Sequence, residues 1–297
     1  MAETVIETKG LGRRFGKAHA VDGLDLSVPR GSVFGFIGRN GAGKTTTVKM
    51  LLGLLPMTAG SATVLGLDSR KESFDIKKRV GYVPESHHFY KWMTVGELTR
   101  FTSSFYPTWQ DGKCAELLTR FELDPRKKVK ELSKGMVAKL ALTLALAHAP
   151  ELLVLDEPTG GLDVMVRRDF LESIVRTIQE EGKTVFLSSH VLVDMERVAD
   201  EIAIIEEGRL VKRATLDELK DKVKKVKLTF AGEPPADARI EGARDVARDG
   251  REWVVTYEDY TEEKLDELRK LPISGLQVID LDLEDIFVVL VGKRSEP

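Results

Sequence analysis

Apolar positions along this chain alternate between two kinds of segment. Val21, Leu24, Leu26 and Val28 alternate with polar residues and stop at Pro29-Arg30-Gly31, a turn signal, so the opening stretch reads as short strands and turns. Val33-Phe34-Gly35-Phe36-Ile37 is a nearly continuous apolar run, suited to a strand buried on both faces of a parallel sheet. Thr45 to Leu55 places Val48, Leu51, Leu52 and Leu55 on one helical face and then meets Pro56, which predicts a helix over 45–55. From about 88 to 148 the period is helical. Leu98, Phe101 and Phe105 share a face within 97–105, and 113–121 and the Ala- and Leu-rich 136–147 follow. This block reads as a mainly helical insertion. Buried-strand runs return at Leu152–Leu155, Thr184–Leu187 and Ile202–Ile205, with a helix over 165–180 and a hairpin-like turn at Glu207-Gly208-Arg209. Strand–helix alternation of this kind points to an α/β core.

The pattern changes after about residue 215. A charged helix over 215–225 precedes two alternating strands, one through Val226, Leu228 and Phe230 and one through Trp253, Val255 and Tyr257. The Gly/Pro/Ala stretch Ala231 to Ala243 between them reads as loop. An amphipathic helix over 261–271, a strand over 276–281 and a last helix complete a small α+β module. Asp282 can cap that helix, with Leu283, Ile286, Phe287 and Leu290 on one face. The expected domains are therefore 1–214 and 215–297.

The chain's 297 residues leave room for one large domain and a smaller one. Apolar residues at 42% and charged residues at 31% suit a soluble globular protein. A net charge of −3 offers little to a phosphate polymer, so no nucleic-acid partner is expected. The single cysteine, Cys114, excludes an internal disulfide and a cysteine zinc site, fits a reducing cytoplasm, and reads as a partly buried helix residue. The opening Met-Ala-Glu-Thr lacks the features of a signal peptide, so none is expected. The longest apolar stretch, Leu140 to Leu155, is interrupted by His148, Pro150 and Glu151. Work at a membrane would need another chain to do the spanning.

Candidate chemistry begins at Gly38-Arg39-Asn40-Gly41-Ala42-Gly43-Lys44-Thr45, which has the spacing of a phosphate-binding loop. Glycines let backbone N–H groups turn inward around phosphate oxygens, and the following helix points its positive end at them. Lys44 would reach the β- and γ-phosphates of ATP, and the Thr45 hydroxyl would ligate Mg²⁺. The alternative is a glycine-rich turn with a solvated lysine. Leu152-Leu153-Val154-Leu155-Asp156-Glu157 is the second element. A buried strand ending in two acids sets carboxylates at the carboxyl edge of the sheet, where α/β ligands bind. Asp156 would hold Mg²⁺ through water, and Glu157 would act as general base on the attacking water. A solvent-facing acidic strand end is the plainer reading of Asp-Glu, and the upstream loop weakens it.

Leu132-Ser133-Lys134-Gly135-Met136, just before that strand, resembles the LSGGQ signature of ATP-binding cassette (ABC) ATPases. Further markers follow the family's order. Phe15 resembles the aromatic that stacks on adenine, and Gly81-Tyr82-Val83-Pro84-Glu85 resembles a segment that normally ends in glutamine. Pro158-Thr159-Gly160-Gly161-Leu162-Asp163 resembles the D-loop, and His190 sits at the switch histidine. The turn Leu55–Gly60 and Gly66 also fit, so the resemblance spans residues 4 to about 212. The plainer readings are a core aromatic for Phe15 and, from position alone, a polar strand end for His190.

The resemblance implies a P-loop NTPase core with an N-terminal antiparallel β subdomain and a helical insertion, joined here to the C-terminal module. It implies ATP bound by Phe15, Gly38, Asn40, Gly41, Ala42, Gly43, Lys44, Thr45, Thr46, Ser133 and Gly135. It implies Mg²⁺ at Thr45, Glu85 and Asp156, and catalysis by Glu157, His190 and Glu85. Two such domains would close head to tail around two ATP molecules, Ser133 and Gly135 of one contacting the γ-phosphate held by the other. His190 would report the γ-phosphate, and hydrolysis would let the dimer open. The implied partners are a separate integral membrane permease, with this chain peripheral on the cytoplasmic face, and a second cassette, identical or not.

Three positions depart from the family pattern: Glu85 for glutamine, and Lys134 and Met136 in the signature. The last two, with the C-terminal module ending Leu283-Glu284-Asp285-Ile286-Phe287, resemble the branch serving bacterial exporters of drugs, antibiotics, polysaccharides or lipids. Adjacent His87 and His88 do not suit one metal ion from an extended segment. Phe89, Tyr90 and Trp92 would suit a socket for a short partner helix, or pack within the helical insertion. A soluble regulatory ATPase, or one acting on ribosomes or DNA, is the competing class. One contiguous cassette, acidic and without a heptad run, argues against the ribosome and DNA forms.

Overall fold

A computed structural model describes residues 3–235 and 240–292, the side chains of 177–181 excepted. The chain divides into two compact units, Met1–Leu210 and Val211–Pro297.

The first unit opens with β1 (Thr4–Phe15) and β2 (Ala18–Pro29), then β3 (Val33–Ile37) and α1 (Lys44–Leu51). β4 (Ala59–Val64), β5 (Leu67–Asp68), α2 (Ser73–Arg79) and β6 (Val80–Val83) follow. The helical insertion comprises α3 (Val95–Ser103), α4 (Asp111–Arg120), a 3₁₀ turn at Val129–Glu131 and α5 (Lys134–Leu146). The core resumes with β7 (Leu152–Asp156), α6 (Val164–Glu181), β8 (Thr184–Ser189), α7 (Leu192–Val198) and β9 (Glu201–Glu206), and β10 (Arg209–Thr215) spans the division between the units.

These strands form two sheets. β2-β1-β4-β5 is antiparallel. The second has the order β10-β9-β3-β8-β7-β6, with β9, β3, β8, β7 and β6 paired in parallel. Every residue of β3, β7 and β8 is buried, which is why they read as unbroken apolar runs. Phe34 and Phe36 stack against Phe186 at centroid distances of 5.8 and 5.3 Å. Both belong to a continuous core that also takes Val5, Ile6 and Leu26 from the antiparallel sheet and Val48 and Leu51 from α1. Each such side chain contributes roughly 1.5–3 kcal/mol on burial.

The second unit contains α8 (Leu216–Lys222), β11 (Lys224–Phe230), β12 (Asp245–Asp249), β13 (Glu252–Tyr257), α9 (Glu262–Arg269), β14 (Ile273–Asp280) and α10 (Leu283–Val291). Its antiparallel sheet runs β12-β13-β11-β14 over a core of Val226, Leu228, Phe230, Trp253, Val255 and Tyr257. Asp282 caps α10 by accepting from the Asp285 N–H at 2.8 Å.

Several local expectations differ from the structure. The opening segment forms two 12-residue strands rather than short ones. Register shifts between Thr8 and Leu11 and between Leu11 and Arg13 break the alternation that would have revealed them. α1 stops at Leu51 rather than Leu55. Gly53 turns the chain at φ 64, and a Cβ there would overlap Ser73 and the Ser69 carbonyl. Phe101 and Phe105 are exposed rather than core-facing. The charged helix ends at Lys222, because Lys224 and Lys225 already pair with β13 and β14. β12 was not expected, since half of it is exposed and it lacks an apolar alternation. Cys114 is buried in α4, and burial pushes its thiol up to about 11.

His148 follows α5 and is buried against the Tyr106 ring at 4.0 Å. Burial holds its pKa down at about 4, against a smaller raising effect of the Val80 and Leu144 backbone. Its folded pKa lies below its unfolded value of 6.5, so acid protonates the unfolded chain first. Stability should therefore fall as pH drops through this window, by about 2–3 kcal/mol between pH about 7 and about 4.5. Urea denaturation of wild type and His148→Leu should show this component missing in the variant.

Candidate functional site

The parallel register brings three strand ends level. Ile37 pairs with Ser189, and Asp156 pairs with Ser188. Residues just beyond β3, β7 and β8 therefore converge on one sheet edge, where α1 also begins.

The loop after β3 is held by its own close contacts. Gly43 has φ 107, and a Cβ there would overlap the carbonyl oxygen of Ala20. Only glycine lets the loop lie against β2 and start α1 at Lys44. The Ala42 N–H donates to the Arg39 carbonyl at 3.1 Å, and the Ala42 carbonyl accepts from Gly208 at 3.0 Å. Lys44 is 5% exposed. Its ammonium donates to the Gly38 carbonyl at 2.6 Å and the Arg39 carbonyl at 3.2 Å. It also faces Glu157 Oε1 as an ion pair at 3.0 Å.

The acids at the end of β7 are buried. Glu157 is 7% exposed and adopts φ 49, the left-handed region. That conformation costs a non-glycine residue about 1–2 kcal/mol, so the surroundings must hold it. Its Oε2 contacts His190 Nδ1 at 2.7 Å and accepts from the His190 backbone N–H at 3.2 Å. One carboxylate thus bridges the loop lysine and the histidine beyond β8. Asp156 Oδ1 accepts from Ser188 Oγ at 2.6 Å and from Thr45 Oγ1 at 3.1 Å. Burial pushes the Asp156 carboxyl up, opposed by these two hydroxyls.

Asn40, Gly41, Gly43, Lys44, Thr45, Thr46, Glu85, Glu157 and His190 line one cavity of about 310 Å³. Thr45 and Glu85 also line an adjoining cavity of about 490 Å³ that includes Asp156. A larger cavity of about 830 Å³ includes Arg120, Lys139, Arg168 and Arg197 and none of these residues. Three of its cations are already paired, with Glu116, Asp169 and Glu172. Chemistry, not volume, marks the site.

Ser133 and Gly135 are not among the lining residues. Ser133 caps α5, its hydroxyl accepting from Met136 N–H at 3.2 Å. Phe15 also stands outside the lining, 49% exposed at the end of β1 with the Arg13 guanidinium 4.5 Å over its ring, so it is not a core aromatic.

Asp156 Oδ2 is buried and has no hydrogen-bond partner. Beside the Thr45 hydroxyl, an orphaned carboxylate oxygen fits a hard divalent cation, which prefers oxygen ligands. Ser188 was not singled out from the sequence as a site residue, nor were Thr159 and Asp194. Thr159 Oγ1 donates to buried Asp194 Oδ2 at 3.1 Å, tying the segment after Glu157 to the helix after His190. Small polar residues inside otherwise apolar strand ends are the sequence signal for such partners.

Gly43→Ala should weaken nucleotide binding at least about tenfold and lower the melting temperature, because the overlap with Ala20 and the positive φ act together. Fluorescent-nucleotide titration and thermal unfolding check both effects.

A family model described as ABC transporter matches residues 21–160. The chain is 33% identical to the bacitracin transport ATP-binding protein BcrA of Bacillus licheniformis, over 97% of this chain and 98% of that protein. It is 35% identical to the linearmycin resistance ATP-binding protein LnrL of Bacillus subtilis (strain 168), over 72% of this chain and 70% of that one. A solved ATP-binding subunit of an ABC transporter is similar at TM-score 0.67 and 28% identity, covering 73% of this chain and 92% of that structure. With its P-loop core, antiparallel sheet and helical insertion, the chain belongs to the ABC transporter family, as one of its ATP-binding ATPase subunits.

Proposed function

We propose that this subunit hydrolyses ATP to drive export through a separate membrane-spanning permease, bound peripherally on the cytoplasmic face. The observation that carries the catalytic part is the convergence of Lys44, Thr45, Asp156, Glu157 and His190 at one sheet edge. In this reading the γ-phosphate replaces Glu157 as the partner of Lys44. Glu157, released from Lys44, keeps its contact with His190 and takes the proton of the attacking water. Asp156, Thr45 and Glu85 hold Mg²⁺, which supplies charge neutralisation at the β- and γ-phosphates when bound. Phe15, exposed at the end of β1, stacks on adenine.

Ser133 and Gly135 lie outside the cavity, so a second cassette supplies them to close the site. Each element occurs once in this chain, so two copies would form two complete sites. Export is supported by the relatives in bacitracin transport and linearmycin resistance, and by Lys134, Met136 and the C-terminal module. Among the described residues no helix is long and apolar enough to cross a membrane. In this reading the permease docks on this chain. Trp92, Tyr90, Phe101 and Phe105 are all exposed and touch in that order, tilted at 5.9 Å and then edge to face at 5.6 and 5.2 Å, which supports a socket for a short partner helix.

Glu157→Gln should lower kcat by about 100-fold or more while nucleotide still binds. Phosphate release and ATP-dependent dimerisation by size-exclusion chromatography measure this, and retained turnover would remove Glu157 from the mechanism. Trp92→Ala should keep the ATPase activity of the isolated chain and lose the permease on co-purification from a native membrane extract. Unchanged co-purification would rule out the socket.

A further inference from the structure

Ser188, the penultimate residue of β8, stands directly opposite Asp156 and is fully buried. Its hydroxyl donates to Asp156 Oδ1 at 2.6 Å. The same oxygen accepts from the backbone N–H of Glu157 at 3.2 Å, and that N–H also reaches the Ser188 carbonyl at 3.1 Å. A serine hydroxyl carries one proton, so the order is determined: Glu157 N–H to Ser188 Oγ, then Ser188 O–H to Asp156 Oδ1. Hydrogen bonds in such a chain polarise and strengthen one another.

Two consequences follow for the acids. Thr45 also donates to Asp156 Oδ1, at 3.1 Å, so two hydroxyls occupy that oxygen. Oδ2 is thereby left, buried and unpartnered, as the oxygen available to a divalent cation. Glu157, in its left-handed conformation, is anchored through its N–H, with Oε1 at Lys44 and Oε2 at His190. Alanine at 188 would leave Oδ1 with Thr45 alone and let the carboxylate rotate about its terminal torsion.

We infer that Ser188 is a positioning residue that sets both acids at once, leaving Asp156 Oδ2 for the metal and fixing the Glu157 backbone beneath its carboxylate. The inference rests on reading Asp156 as a Mg²⁺ holder and Glu157 as the base. It concerns a residue outside the loop, the acids and the histidine.

The test uses the full chain with Ser188→Ala, Ser188→Thr and Glu157→Gln. Mn²⁺ is titrated in the presence of a non-hydrolysable ATP analogue, with free Mn²⁺ read by electron paramagnetic resonance. Phosphate release is measured against Mg²⁺. Ser188→Ala should bind Mn²⁺ about tenfold more weakly and raise the half-saturating Mg²⁺ to a similar degree, the usual scale for a group supporting a metal ligand. Its affinity for the nucleotide without metal should not change, and Ser188→Thr should restore most of the metal affinity. Mn²⁺ affinity in Ser188→Ala within about twofold of wild type would overturn the inference. So would Ser188→Thr being as impaired as Ser188→Ala, which marks a packing role. If Ser188→Ala does not fold, Ser188→Cys replaces it, a similar shape with a weaker donor. Reduced Mn²⁺ affinity there supports the inference, and wild-type affinity overturns it. Glu157→Gln separates the two levels. Retained turnover would overturn the reading of the site, whereas abolished turnover beside an unaffected Ser188→Ala would overturn this inference alone.

Discussion

The register of the parallel sheet is the constraint on which the site depends. β3, β7 and β8 are buried along their whole length, so each is held by apolar packing on both faces and by its neighbours' backbone. Slippage by one residue would turn buried side chains toward the wrong face. The alignment of Ile37 with Ser189 and of Asp156 with Ser188 is therefore an energetic consequence of the core. Lys44, Asp156, Glu157 and His190 meet because the strands that precede them cannot end anywhere else.

That meeting carries an electrostatic cost. Lys44 and Glu157 are both nearly fully buried, and a buried charge is tolerable only when paired and hydrogen-bonded. The lysine is satisfied by two loop carbonyls and by Glu157, and Glu157 in turn by His190. In the proposed function a γ-phosphate would bring negative charge to the same lysine, which would couple binding to the release of Glu157 toward water through one ammonium group. Asp156 stands apart from this chain of contacts, held by hydroxyls that leave one of its oxygens open. Lys44 and Asp156 together provide both signs of charge that a magnesium–nucleotide complex needs.

The surface divides along the same lines. Trp92, Tyr90, Phe101 and Phe105 are large, exposed and joined in a chain of ring contacts, an arrangement unfavourable in water unless something covers it. They lie in the helical insertion and the segment leading into it, whereas the nucleotide-site residues come mainly from the ends of core strands. Glu85, two residues after β6, lines the cavity that Lys44, Glu157 and His190 share.

Much of this was legible in the chain. The runs 33–37, 152–155 and 184–187 could be read because burial on both faces demands consecutive apolar residues. Gly38 to Thr45 was legible because a backbone that wraps phosphate needs glycine and lysine at set spacing. Asp156 and Glu157 stand out as charges after an apolar run. The long opening strands were not legible, since bulges erase their alternation. The end of α1 was hidden because Gly53 answers to Ser69 and Ser73, sixteen and more residues away. The exposure of Phe101 and Phe105 depends on what the rest of the insertion covers. Ser188 looked like any strand-end serine until the register set it across from Asp156. The sequence by itself determined where the glycines, the lysine and the acids stand relative to the buried strands, because composition and spacing are local. Only the tertiary structure decided which oxygen of Asp156 is held and which is open, because that depends on strands paired across more than thirty residues of chain.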